Sequence, residues 1–137
     1  MVLTWLLYKT IHFNTSSIRY KGRKIRLLIA DNFARQLVGL MYRNGISDGE
    51  GMLFIFGRSS GWGIWMQNMR FPIDIVWLDG GGKVIDIKRD AQPCRSIFNC
   101  ETYRPRTDSR YVLELSSGGA ARHGIGIGDR ISLRPAK

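Results

Sequence analysis

Apolar and polar positions change rhythm repeatedly along this chain. From Ile18 to Ala30 they alternate: Ile18 and Tyr20 against Arg19 and Lys21, then Ile25, Leu27 and Ile29 against Lys24, Arg26 and Leu28. Period two marks half-buried strands, and Lys21-Gly22-Arg23-Lys24 between the halves supplies a turn, with Gly22 free to take positive φ. A hairpin is predicted. Residues 33–43 switch to helical spacing, with Phe33, Leu37, Leu40 and Met41 on one face. Asp31 or Asn32 can cap this helix and Gly45 can end it. Gly39 inside it suggests close packing against a neighbouring backbone. Continuous apolar runs follow: GMLFIF (51–56), WGIWMQ (62–67), IDIVWL (73–78) and KVIDIK (83–88). Turn-forming stretches separate them, so four strands in a meander are predicted.

The polar stretch 89–110 reads as a surface loop. YVLEL (111–115) is another strand, Ala120–His123 one helical turn, and GIGIGDRISL (124–133) a tight turn with a closing strand. The short apolar start, residues 1–17, reads as a strand or a tail on the body, and residues 18–134 as one domain. It lacks a basic flank and a small-residue cleavage site, which argues against a secretory signal and for a cytoplasmic protein. The expected fold is mostly β (α+β). About seven to nine short strands form a small barrel or curled antiparallel or mixed sheet, with one packed helix at about 33–43. Closure would remove the exposed edges such a chain otherwise has.

Charge alters this picture more than size does. The 137 residues carry 21 basic and 11 acidic side chains, a net charge of +10. Five of the cations, Arg19, Lys21, Arg23, Lys24 and Arg26, fall within the hairpin. That density protects an edge strand or makes a polyanion patch, and it favours an anionic small molecule or nucleic acid as partner. No run is long enough to span a bilayer. A monomer or weak homodimer is expected. Cys94 and Cys100 are the only cysteines. Two thiols do not complete a structural zinc site, and His12 and His123 have no spacing that would help. Reduced thiols and a Cys94–Cys100 disulfide both remain open. P-loop, dinucleotide, HExxH and nucleophile-elbow motifs are absent, Ser59, Ser60 and Ser96 have no adjacent base, and no motif calls for a cofactor or metal.

Taken in order, GLMYR (39–43), GMLFIF (51–56), WMQNMRFPIDIVWLD (65–79), YVLEL (111–115) and GIGIGD (124–129) resemble the DUF192 (UPF0127) family of uncharacterised proteins. The resemblance spans roughly residues 25–134. It is similar above all to the short single-domain members, several from thermophilic archaea. It implies a compact β-rich fold and no established activity. The family pattern usually reads WMKNT where this chain has Trp65-Met66-Gln67-Asn68-Met69, so Gln67 stands in place of a cation.

Two acids stand among apolar neighbours. Strict alternation puts Asp74 on a strand face with Val76 and Leu78. Its carboxyl needs hydrogen bonds, a basic partner or a cavity mouth. Backbone N–H groups of residues 68–72, or Arg43, would serve. Glu114 lies between Leu113 and Leu115. Were its strand to neighbour that of Asp74, the two acids could share a site with one pKa raised, the pattern of acid/base catalysis. Three functions follow. One is a binding module with a polar-aromatic site at Trp65, Gln67, Asn68 and Asp74. Another is an enzyme of hydrolase type using Asp74 and Glu114, helped by Arg43 or Asn68. The third is a scaffold with no site.

Overall fold

The computed structural model describes residues 2–136. Among the described residues, eight strands and three α-helices make a mostly β fold. In chain order the elements are α1 (Val2–Thr10), β1 (Asn14–Tyr20), β2 (Arg23–Ala30), α2 (Phe33–Val38), β3 (Glu50–Ser60), β4 (Ile64–Trp65), β5 (Ile73–Leu78), β6 (Val84–Ala91), β7 (Thr102–Tyr103), β8 (Ser109–Ser116) and α3 (Gly119–Arg122). Six strands form one sheet in the order β1-β2-β3-β8-β5-β6, and β4 pairs with β7 in a small second sheet. β2 and β3 run parallel, joined through α2, and every other pair is antiparallel.

The sheet is open. The expected closing strand at 124–133 does not form. Its backbone instead bonds to the β5–β6 turn, Val84 N–H to Asp129 O and Ile131 N–H to Gly82 O, leaving a single bridge between Lys83 and Arg130. Nor is the centre a meander. β8 inserts between β3 and β5, so only β5–β6 is a hairpin within that region. The polar edges, NTSSIRY of β1 and the charged half of β6, do the work that closure would have done.

Both faces of the sheet are covered, which explains why β5 is buried at all six positions and apolar at all but Asp74. Ile25, Leu27, Leu53, Val76, Leu113 and Leu115 fill one face, under Ala120, Ile125 and Ile131 of the C-terminal segment. Met52, Phe54, Ile75, Trp77 and Val112 fill the other, under Leu40, Ile64 and Met66.

Val2–Thr10 is helical, where the sequence suggested a strand or tail. It docks through Thr4, whose Oγ1 lies 2.6 Å from the Tyr42 hydroxyl, and through Trp5 against Tyr42. Val2, Leu3 and Leu6 face outward, so the segment lacks the amphipathic period that would have marked it as a helix. Among the described residues no helix is long and apolar enough to cross a membrane.

The helix expected to reach residue 43 stops at Val38. Asn32 caps its start, Oδ1 accepting from Arg35 N–H, and Gly39 ends it with φ +48°. A Cβ at Gly39 would lie 3.2 Å from the Phe54 ring, so the close neighbour is an aromatic side chain rather than backbone. Residues 39–43 are therefore free to turn over the sheet.

Candidate functional site

Register settles the two acids. Asp74 pairs with Leu115 across β5–β8, while Ile75 pairs with Glu114. Directly opposed residues project from the same face, and successive residues from opposite faces. Asp74 and Glu114 therefore occupy adjacent strands on opposite sides of the sheet. The shared acid/base site considered from the sequence does not exist.

Asp74 is fully buried and fully occupied. Its Oδ1 accepts N–H groups from Asp90 at 2.9 Å and Gly118 at 3.2 Å, and Oδ2 accepts from Ala120 at 3.0 Å. The donors come from neither residues 68–72 nor Arg43. Between the pairs Ile73↔Ala91 and Ile75↔Lys88, two residues of β6, Arg89 and Asp90, oppose the single Asp74. This is a β-bulge, and it turns the Asp90 N–H, at φ +51°, into the carboxyl. The other two donors fix the turn into α3. Asp74 thus pins the layer covering the first face, and it leaves the ligand-binding set drawn from the sequence.

Glu114 has the opposite surroundings. It stands in a row running Thr15, Leu28, Met52, Glu114, Ile75, Lys88 across all six strands. Met52 and Ile75 flank it, both fully buried. Glu114 itself is 3% exposed, and burial alone pushes its carboxyl up to about 8, with no hydrogen bond or charge from the protein contributing. It lies at a cleft of about 300 Å³ whose walls include Met41, Phe54, Phe56, Trp62 and Trp65. Glu114 is the only ionisable residue among those walls. Gln67 also lines the cleft, and its Oε1 is buried with no hydrogen-bond partner.

The aromatic walls are held rigidly. Trp62 stacks on Phe56 with centroids 4.2 Å apart and planes 8° from parallel. Its Nε1–H donates to Arg58 O at 3.0 Å, and its own carbonyl accepts from Trp77 Nε1–H at 2.8 Å. Trp65 stands on the short β4 and is 40% exposed at the rim. Residues 62–67 were expected to form a full strand. Only Ile64–Trp65 does, which frees Trp62 and Gln67 to turn toward the cleft.

Two loops complete it. Tyr42 and Asn68 both adopt positive φ, +65° and +59°, and Tyr42 N–H donates to Asn68 O at 2.9 Å. Such backbone is uncommon outside glycine and persists only where its surroundings fix it. Asn68 Nδ2 lies 3.8 Å from Met41 Sδ. Asn68 therefore braces the wall from behind and is not among the cleft's lining residues. The disulfide Cys94–Cys100, Cα atoms 5.1 Å apart, closes the loop next to it, and Cys94 N–H donates to Met66 O.

Residues 16–133 match the model of the family described as "Uncharacterized ACR", DUF192. The chain belongs to the DUF192 family. GLMYR and WMQNM, two of the motifs behind the resemblance, are the loops joined through Tyr42 and Asn68. Two solved structures are similar to this DUF192 chain. One, from Sinorhizobium meliloti 1021 and described as "a putative transcription regulator", is 27% identical, with a TM-score of 0.79 over 89% of this chain and 95% of its own. The other, a protein of unknown function from Novosphingobium aromaticivorans DSM 12444, is 28% identical, with a TM-score of 0.75 over 88% and 84%. No curated protein matches.

The basic hairpin forms with Lys21 and Gly22 both at positive φ in its turn. Its five cations divide between two places: Arg19, Lys24 and Arg26 share one face of the hairpin, while Lys21 and Arg23 reach from the turn to the body. Lys21 Nζ donates to Gly124 O and Arg23 Nη1 to Arg122 O, both tying the turn to the body. Arg19 opposes Lys24 across the hairpin. Lys24 and Arg26, with Arg43, line a separate groove of about 610 Å³. Arg43 thus stands apart from both acids it was expected to help. The sequence pointed to Trp65, Gln67 and Glu114, whereas Phe56 and Trp62, an evident aromatic set, and Met41 on its helix face read more readily as core than as walls.

Proposed function

We propose that this DUF192 chain is a binding module for a small, largely apolar molecule that carries hydrogen-bond donors, seated in the aromatic cleft over Glu114. One observation carries the reading. Two buried acceptor-bearing side chains, Glu114 and Gln67, meet the same cleft without protein partners, although buried polar groups are nearly always paired. A ligand with an amine or similar head would satisfy both, and its body would lie against Trp62 and Trp65. Apolar walls with a few convergent polar groups are what small-molecule sites are made of. With no cation among its walls, the cleft disfavours the anionic ligand suggested by net charge. An enzyme acting through paired carboxyls has no second carboxyl here.

Titration with 3-phenylpropylamine, followed by tryptophan fluorescence, tests this. The amine should bind saturably, 3-phenylpropanoate should not, and Glu114→Leu should weaken the amine by at least about tenfold. Equal binding of amine and acid, or no saturable binding, would refute the reading.

A further inference from the structure

The groove lined by Lys24, Arg26 and Arg43 has features of its own, independent of the cleft. β1 and β2 form its floor, with Ser17 directly opposite Arg26 and Thr15 opposite Leu28. Arg43, Gly45 and Ile46, with Pro135 and Ala136, form its sides. The 39–43 segment divides the two cavities: Gly39, Leu40 and Met41 line the cleft, and Arg43 lines the groove.

Three side chains there carry positive charge. The ion pairs among the described residues employ Arg35, Arg106, Arg122 and His123, and none of them includes Lys24, Arg26 or Arg43. Among the described residues, Glu50 is the one acid in the walls. Its carboxyl already accepts from Ser47 N–H at 3.1 Å and from Ser47 Oγ. The charges of Arg26 and Arg43 also help hold its pKa below the ordinary value. Among the described side chains of the wall, one carboxylate stands against three cations. Arg43 is anchored over the Phe13 ring, 5.8 Å from its centroid, and its Nε is buried without any acceptor. Two arginines at one groove are suited to planar, bidentate contact with an oxyanion.

We infer that this groove binds the phosphoryl group of a small molecule, held by Arg26 and Arg43, with Lys24 adding charge and Ser17 a hydroxyl. Concavity separates this from general attraction of nucleic acid. A duplex would meet the exposed Arg19 and Lys24 on the hairpin and is too wide to enter the groove as far as Arg43. Free phosphates and phosphoesters share the recognised chemistry.

Calorimetric titration of the whole chain with inorganic pyrophosphate, and in parallel with ribose 5-phosphate, decides the matter. One-site saturable binding is expected for at least one of them, and the tighter names the source as free phosphate or phosphoester. Arg43→Gln should weaken it about tenfold or more, and the exposed Lys24→Gln, which threatens the fold least, by severalfold. Arg95→Gln, which removes equal charge from an exposed loop site, should change nothing. The inference falls if neither compound saturates, or if Arg95→Gln weakens binding as much as Lys24→Gln. It also falls if duplex DNA displaces both compounds and its own affinity ignores Arg43→Gln. The cleft is untouched by these variants, so the 3-phenylpropylamine titration stands or falls separately.

Discussion

Asp74 and Glu114 sit one register step apart on neighbouring strands, equally out of water, yet they present opposite solutions to burying an acid. Asp74 is met by three backbone N–H groups and organises the layer above it. Glu114 is met by Met52, Ile75 and an aromatic cleft, and its carboxyl is pushed toward neutrality. A buried acid on the first face holds the fold together, while on the second it is a liability that the fold tolerates. Polar groups retained against stability mark sites of function more often than of structure.

The sharpest way to break this contrast is Asp74→Ala. It removes three backbone N–H bonds to a buried carboxyl, each worth about 1.5–3 kcal/mol, and leaves the N–H of the buried Ala120 without its acceptor. Stability should fall by at least about 4 kcal/mol, read as a lower urea midpoint with an unchanged m-value. A loss under about 1 kcal/mol would mean that the bulge and the α3 turn hold without the carboxyl.

Glu114→Gln should act in the opposite direction. In the unfolded chain Glu114 ionises around its ordinary 4.5, and in the folded chain around 8. Below the first value both states hold the proton and nothing is lost. Between the two, the native state binds more protons than the unfolded state, so stability falls as pH rises, and the loss is complete above the folded value. The full loss is about 5 kcal/mol, and about 3 kcal/mol of it is present at pH 7. Glutamine mimics the neutral acid and does not titrate. The variant should therefore be about 3 kcal/mol more stable at pH 7, with a flatter profile between pH 5 and 8. An unchanged slope would show that Glu114 ionises at its ordinary value and is reached by water.

Much of this contrast was legible in the chain, but not its geometry. Both acids announced themselves by interrupting apolar strands, a local signal. Which face each takes depends on β8 pairing with β5, a contact across some 40 residues that no short-range pattern encodes. The hairpin turn at Lys21-Gly22 and the run 73–78 could be read directly, because turn chemistry and burial on both faces leave strong local marks. The closing strand at 124–133 misled because alternating Ile and Gly satisfies a turn as well as a strand. Its partners, the backbone of 82–84, lie about 45 residues away. Arg43 looked like a companion for Asp74 until Gly39 ended α2 and turned the chain toward the β1–β2 groove.

The smallest effect is the most discriminating. Gln67→Leu removes a buried acceptor that has no partner and keeps most of the volume, so it should stabilise the chain by about 1 kcal/mol while weakening amine binding. Combined with Glu114→Gln it completes a double-mutant cycle. If each side chain is an independent burden on an empty cleft, the two gains in stability add to within about 0.5 kcal/mol. Their effects on binding should not add, because one ligand head is proposed to bridge both groups. Removing either releases it from the other, so the double variant should bind little worse than the weaker single variant. Stability additivity with binding non-additivity is a signature that a merely badly packed wall would not produce. Were both quantities to add, Gln67 and Glu114 would be two unrelated defects of the second face, and the cleft would lose its claim to a shared ligand.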